Sequence, residues 1–66
     1  MKRVCVIGGA GFLGSHVADS LSEAGYHVRI YDFKASAWLR HDQEMFVGNI
    51  LDEKLLFEAV AGCEVV

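Results

Sequence analysis

Three observations predict an α/β fold built on a parallel sheet. A continuously apolar, β-branched run, Val4-Cys5-Val6-Ile7, leads straight into a glycine cluster, Gly8-Gly9-Ala10-Gly11. From Phe12 the apolar spacing lengthens to a helical period. Strand-like and helical stretches then alternate to the last residue, in the order β-α-β-(short α)-β-α-β. Alternation at this spacing implies right-handed crossovers between parallel strands. No repeat, linker or low-complexity stretch interrupts it.

Each element has a local reason. Val4–Ile7 is apolar at every position, as a strand covered on both faces should be. Leu13, Val17, Leu21 and Ala24 recur at i, i+4, i+8 and i+11 and predict the buried face of the first helix. Asp19, Ser20 and Glu23 fall elsewhere on that helix and are expected in water, and Gly25 supplies a left-handed closing residue. The second strand is predicted over Tyr26–Tyr31, with β-branched Val28 and Ile30, and it ends at Asp32. Ala35–Arg40 reads as either a short helix or an ordered loop. Glu44–Val47 is the third strand, followed by a turn at Gly48-Asn49. Asp52 is the expected N-cap of a helix over Glu53–Ala61, with Leu55, Leu56, Ala59 and Val60 as its apolar stripe and Gly62 as its stop. Cys63–Val66 begins a fourth strand, and Trp38 and Phe46 read as packing residues.

Composition narrows the function classes. The chain has 66 residues, 53% of them hydrophobic, and a formal net charge of −3. A domain of this size buries only roughly 60% of its unfolded surface. One reading of the apolar excess is a parallel sheet buried on both faces. The favoured one is that the chain is one end of a larger domain, because it stops at Val65-Val66 inside an apolar run. A third reading is a homodimer in which a second copy covers the sheet edge. Apart from the adjacent Lys2-Arg3 at the start of the first strand, the six Lys and Arg are scattered singly, which argues against a nucleic-acid partner. No signal peptide is visible, and no run approaches the ~20 apolar residues of a membrane span. Cys5 and Cys63 form neither a disulfide framework nor a metal-ligand spacing, and His27 and His41 show no metal spacing. Two buried, reduced thiols point to the cytoplasm.

The glycine cluster carries the chemistry. Gly8, Gly11 and Gly14 fit G-x-x-G-x-x-G, while Gly9, Gly11 and Gly14 fit G-x-G-x-x-G. In either register the first glycine permits the tight strand-to-helix turn and the second admits a pyrophosphate to the backbone. The third allows close packing of helix on strand. The helix-start amides, around Phe12 and Leu13, then face the phosphates with the positive end of the helix dipole. Asp32 follows Gly14 by 18 residues, at the end of the next strand. That context predicts a Rossmann-type doubly wound parallel sheet and a dinucleotide site. The Asp32 carboxylate can accept from both ribose hydroxyls of NAD and would repel the extra phosphate of NADP; otherwise it is a solvated strand-end aspartate. Lys34 and Arg40 leave dual use of NAD and NADP open. Phe33 either lies against the adenine or is an ordinary half-buried aromatic. Ser15 is a phosphate contact or a plain helix-start serine, and His16 reads as a structural or surface residue. Asp52, Glu53 and Glu58 form a solvated face, and no catalytic residue or metal ligand is identified.

The segment Gly8-Gly9-Ala10-Gly11-Phe12-Leu13-Gly14-Ser15-His16 resembles the extended short-chain dehydrogenase/reductase family, in particular the NAD-dependent epimerases and dehydratases of nucleotide sugars. The resemblance selects Gly8, Gly11 and Gly14 as the functional glycines and continues through Tyr31-Asp32, where the family binds the adenosine ribose. It reaches Val47-Gly48-Asn49-Ile50-Leu51-Asp52, which is similar to the family's Gly-Asp-(Ile/Leu/Val)-x-Asp segment. There the family's acidic residue meets the adenine amino group and the next residue flanks the ring. Asn49 stands at the acidic position here, and its carbonyl can accept from the same amino group; Ile50 is the flanking residue. The resemblance implies that residues 1–66 are the N-terminal β-α-β-α-β-α-β portion of an NAD(P)-binding domain, with no second domain, and correspond to a quarter or less of a family member. The family's catalytic Ser/Thr and Tyr-x-x-x-Lys are not matched, since Ile30 follows Tyr26 and Ala35 follows Tyr31 at the lysine spacing. The chain alone is therefore expected to bind NAD weakly and to turn over no substrate. In the intact protein, bound NAD would take a hydride from a nucleotide sugar and usually return it. The rival readings are a non-catalytic NAD(P)-binding module and another extended short-chain reductase.

Overall fold

The period-2 alternation of the first two strands decides which helix lies on which side. In a computed structural model describing residues 2–66, β1 (Arg3–Ile7), β2 (His27–Asp32), β3 (Glu44–Val47) and β4 (Glu64–Val65) form one sheet in the order β3-β2-β1-β4. All three pairings are parallel, with Val4 opposite Val28 and Glu64, and Ile30 opposite Met45. Alternate residues point to opposite faces. Val4, Val6, Val28 and Ile30 meet Ala18 of helix α1 (Phe12–Glu23), flanked by Leu21, Tyr26 and Met45. Cys5 and Tyr31 face the other way and meet Ala59 of helix α2 (Glu53–Val60), with Ile7, Phe46, Leu55, Leu56, Val60 and Cys63 around them. The sheet is thus covered on both faces, the doubly wound arrangement expected from its continuously apolar first strand.

The Asp52 carboxylate accepts from the Leu55 N–H at 3.1 Å, so the predicted N-cap is in place. Gly25 and Gly62 follow their helices with positive φ, +95° and +72°. Strand β2 starts at His27, one residue later than expected, and includes Asp32; α2 ends at Val60 rather than Ala61.

Several expectations need correction. No helix stands between β2 and β3: residues 33–43 are bends and turns. Local side-chain bonds compete with helix there, since Ser36 Oγ accepts from the Trp38 N–H (3.1 Å) and Gln43 Oε1 from the Arg40 N–H (3.1 Å). The Gln43 amide in turn donates to Asp19 and Ser22 on α1, at 3.1 and 3.0 Å, so Asp19 is half-buried rather than wet. On α1 the inward line runs through Ser15 and Ala18, while Leu13 and Ala24 are exposed. Leu13 instead lines an open hollow with Val6, Ile7, Val17 and Val66. Trp38 is half exposed and meets the Phe12 ring edge-on, at 6.2 Å between centroids. Cys5 is buried as expected and Cys63 half-buried.

Candidate nucleotide-binding site

The carboxyl ends of β1, β2 and β3 frame two adjoining clefts. At the end of β1 the Gly8 N–H still donates to the Tyr31 carbonyl (2.8 Å), and then the chain swings away with φ +79° at Gly8, a conformation side chains disfavour. Helix α1 starts four residues later with no side-chain cap. A methyl group on Gly14 would strike the Gly8 carbonyl oxygen and lie 2.8 Å from Gly9 Cα. The helix start is therefore pressed directly on the turn, as the third glycine of the pattern requires. Gly9 faces inward, where a Cβ would come within 2.8 Å of Ile30 Cγ2. Beside Gly8 and Gly11 the turn is open: an added Cβ would meet nothing within 4 Å at the first and only the Gly8 oxygen, 3.8 Å away, at the second. The first-turn amides of α1, at Phe12, Leu13 and Gly14, have no acceptor within the helix and carry its positive dipole end. This is a mouth shaped for an anion.

Asp32 lines the first of these clefts. One carboxylate oxygen accepts from the Ala10 N–H at 3.0 Å and the other from the Phe33 N–H at 2.7 Å. Each oxygen keeps a lone pair for a further donor. The same residue's carbonyl accepts from Gly48 N–H (2.9 Å), which carries the β2–β3 pairing into the next turn. In that turn Asn49 Oδ1 accepts from Leu51 N–H at 2.9 Å, and the Asn49 carbonyl accepts from Asp52 N–H at 2.9 Å and from the Tyr31 hydroxyl at 2.6 Å. Burial, with negative Asp52 nearby, pushes the Tyr31 phenol above its ordinary value and keeps it a donor.

One cleft, about 500 Å³, is lined by Ile7, Gly8, Tyr31, Asp32, Phe33, Gly48, Asn49 and Ile50. The second, about 480 Å³, shares Ile7 and Gly8 and adds Gly11, Phe12, Leu13 and Gly14. All nine residues expected at the site thus lie around two connected hollows. Phe12 and Leu13 are 70% and 77% exposed there, and Phe33 and Ile50 are also open to solvent. Ser15 turns inward, 5% exposed, its hydroxyl donating to the Phe12 carbonyl (2.8 Å), which favours the plain helix-start reading. His16 is exposed and meets Phe12 edge-on at 4.6 Å. Arg40 pairs with Asp19 (3.2 Å) and Glu23 (3.5 Å), whereas Lys34 lies 5.9 Å above the Phe33 ring. Ile7, Tyr31 and Gly48 complete the first cleft, although none of them is assigned a binding role by the sequence. The signal for Tyr31 was a tyrosine inside an apolar strand, whose buried hydroxyl must find an acceptor. Among the described residues no group of three or more His, Cys, Asp or Glu could hold a metal, and no helix is long and apolar enough to cross a membrane.

This arrangement can be set beside known proteins. The model of the NAD dependent epimerase/dehydratase family matches residues 4–66. The chain belongs to that family. It is 34% identical over 65 residues to the mouse (Mus musculus) sterol-4-alpha-carboxylate 3-dehydrogenase, decarboxylating, covering 98% of this chain and 18% of the relative. It is 38% identical over 74 residues to the UDP-N-acetyl-alpha-D-glucosaminuronate decarboxylase of Bacillus cytotoxicus, covering 100% and 23%. Among solved structures it resembles UDP-glucose 4-epimerase from Brucella ovis in complex with NAD, with a TM-score of 0.82 and 36% identity over 92% of this chain and 19% of that one. UDP-glucose 4-epimerase from Thermotoga maritima with UDP-glucose gives 0.79 and 35%, over 89% and 20%. The chain therefore spans about a fifth of the length of these relatives. The family is NAD-dependent, and its members here divide between sterol and UDP-sugar chemistry.

Proposed function

We propose that this chain is the N-terminal, cofactor-holding part of an NAD-dependent epimerase or dehydratase acting on a nucleotide sugar. The observation that carries the reading is the Asp32 carboxylate, which lines the first cleft and is fixed by the Ala10 and Phe33 amides, the former in the glycine turn. The residues fit the cofactor. The space beside Gly8 and Gly11, which a Cβ would enter, suits a diphosphate under the amides of Phe12, Leu13 and Gly14. The lone pairs left on Asp32 suit two ribose hydroxyls. Phe33, Asn49 and Ile50 line the cleft on the adenine side, where Asn49 Oδ1 retains one lone pair beyond its bond to Leu51. Bound NAD would supply the hydride acceptor; this chain binds and orients it and contributes no base of its own.

Asp32 opposes a 2′-phosphate, and Arg40, a cation that could offset it, is held by Asp19 and Glu23. Calorimetric titration should therefore give NAD at least about tenfold tighter binding than NADP, the ratio that about 1.4 kcal/mol of discrimination produces. Equal or tighter NADP binding overturns the role of Asp32. A sterol substrate is the second reading, motivated by the 34% identity to the sterol dehydrogenase. The two separate when the protein carrying this chain is given UDP-sugars and 3β-hydroxysterols in turn and the products are identified by mass spectrometry and NMR, because a hydride that is taken and returned leaves no net reduction of NAD. Conversion of UDP-sugars alone is expected; conversion of the sterols alone replaces the nucleotide-sugar assignment.

A further inference from the structure

We propose that Tyr31 is a positioning residue of the nucleotide site, whose buried hydroxyl holds the Gly48–Leu51 turn in place as the wall of the adenosine cleft. The inference rests on the reading of that cleft as the adenosine site. Tyr31 is 1% exposed, on the sheet face opposite α1 and packed with Cys5 and Ala59. Its hydroxyl crosses to the turn and donates to the Asn49 carbonyl at 2.6 Å. The turn's other bonds are mostly internal: Leu51 N–H to Asn49 Oδ1, and Asp52 N–H to the Asn49 carbonyl. These shape the turn and join it to the N-cap of α2, but not to the sheet. Two bonds join it to β2, from Gly48 N–H to the Asp32 carbonyl and from the Tyr31 hydroxyl. The turn also rests on the phenol, because a Cβ at Gly48 would lie 2.7 Å from the Tyr31 oxygen and would strike Leu55 Cδ2. Adjacent residues of one strand therefore set two walls. Asp32 braces the glycine turn through Ala10, and Tyr31, pointing to the opposite face, braces the turn bearing Asn49 and Ile50. A wall held before binding spares the ligand the cost of ordering it.

Tyr31→Phe removes the hydroxyl and keeps the ring, so the core stays filled. Titration with AMP, NAD and inorganic pyrophosphate separates a local effect from general loss of structure, and Val4→Ala, in the other core layer, serves as a matched destabilised control. In Tyr31→Phe, AMP and NAD should bind about five- to tenfold more weakly, the scale of one neutral hydrogen bond. Pyrophosphate should bind unchanged, and amide exchange at Leu51 and Asp52 should accelerate while that of Val6 and Ile30 does not. Val4→Ala should not reproduce this split. Unchanged AMP affinity, equal weakening of AMP and pyrophosphate, or unaltered exchange in the turn overturns the proposal. If the parent chain binds pyrophosphate but neither AMP nor NAD, the adenosine reading itself fails, and with it the role of Tyr31 in binding.

Discussion

The two ends of the sheet are built on different principles. At the carboxyl end, glycines and backbone amides dominate, and the side chains of Phe12, Leu13, Phe33 and Ile50 stand in solvent around open clefts. At the amino end and on the adjoining face, charged side chains close the structure. His27 Nε2 lies 2.6 Å from Glu44 Oε1, joining the first residues of β2 and β3. The Arg29 guanidinium reaches Glu44 at 3.4 Å, donates to the Ala59 carbonyl at 3.0 Å near the end of α2, and lies 4.7 Å from the centre of the Phe46 ring. Lys2 and Glu64 approach to 3.4 Å beside β1 and β4. Charge at the end of a helix that bears free carbonyls is favourable when positive, which Arg29 supplies. One end is thus closed largely from within, with Arg29 Nε left buried and unpartnered among the described residues, and the other leaves donors and surface for a ligand. Changes at the first should act on stability alone, and changes at the second on binding.

The sharpest way to break that division is Gly14→Ala. The added methyl meets backbone, the Gly8 oxygen and Gly9 Cα, which cannot rotate away as a side chain would. Overpacking of this kind costs typically about 1–3 kcal/mol, and it moves the helix start off the turn that faces the phosphates. Nucleotide binding should fall below detection by calorimetry, and the urea midpoint should drop as well. A variant that melts early but binds NAD normally would show that close approach of α1 to the turn is not what makes the site.

The division was only half legible in the sequence. The carboxyl end could be read because its signals are local. A strand, three glycines and a helix start are contiguous, and Asp32 is placed by the length of one helix and one strand. All nine expected residues accordingly line the two clefts. The amino end could not be read, because its bonds join residues far apart in sequence. Arg29 looks like a scattered surface cation until β3 and the end of α2 arrive beside it. The same holds for Gln43, which occupies a loop position yet is buried against Asp19 and Ser22. Leu13 misled for a different reason. Helical period identifies the apolar side of α1 but not which of its residues are covered, and Leu13 lines an open hollow. Tyr31 shows the limit from the other side: residue type requires an acceptor for its hydroxyl, but only the fold names Asn49.

Asp52→Ala tests the element that links the two ends. Its carboxylate caps α2 at the site end, while the far end of the helix meets Arg29. Loss of an N-cap costs about 1 kcal/mol. Chemical denaturation should register that loss, and because Asp52 N–H also closes the Asn49 turn through its backbone, which alanine retains, AMP affinity should fall no more than about twofold, well under 1 kcal/mol. A larger fall would mean that helix capping and the adenosine wall are coupled more tightly than the bonds between them suggest.

The smallest effect is expected at the amino end, from Glu44→Gln. The His27 hydrogen bond, aided by Arg29 and opposed by partial burial, holds the Glu44 carboxyl below its ordinary value of 4.5. The folded state therefore binds its proton less readily than the unfolded chain, and stability rises with pH through this range. The contribution is fully present above pH 4.5 and is lost as pH falls through the lowered folded value. With the side chain 41% exposed, solvent screening keeps it below about 1 kcal/mol. Glu44→Gln should accordingly melt slightly earlier than the parent at neutral pH, and the gap should close as the pH is lowered past 4.5. NAD affinity should be the same in both proteins. A gap that persists in acid would assign the loss to packing against Phe46 and Arg29 rather than to charge, and a fall in NAD affinity would show that the two ends of the sheet are not independent.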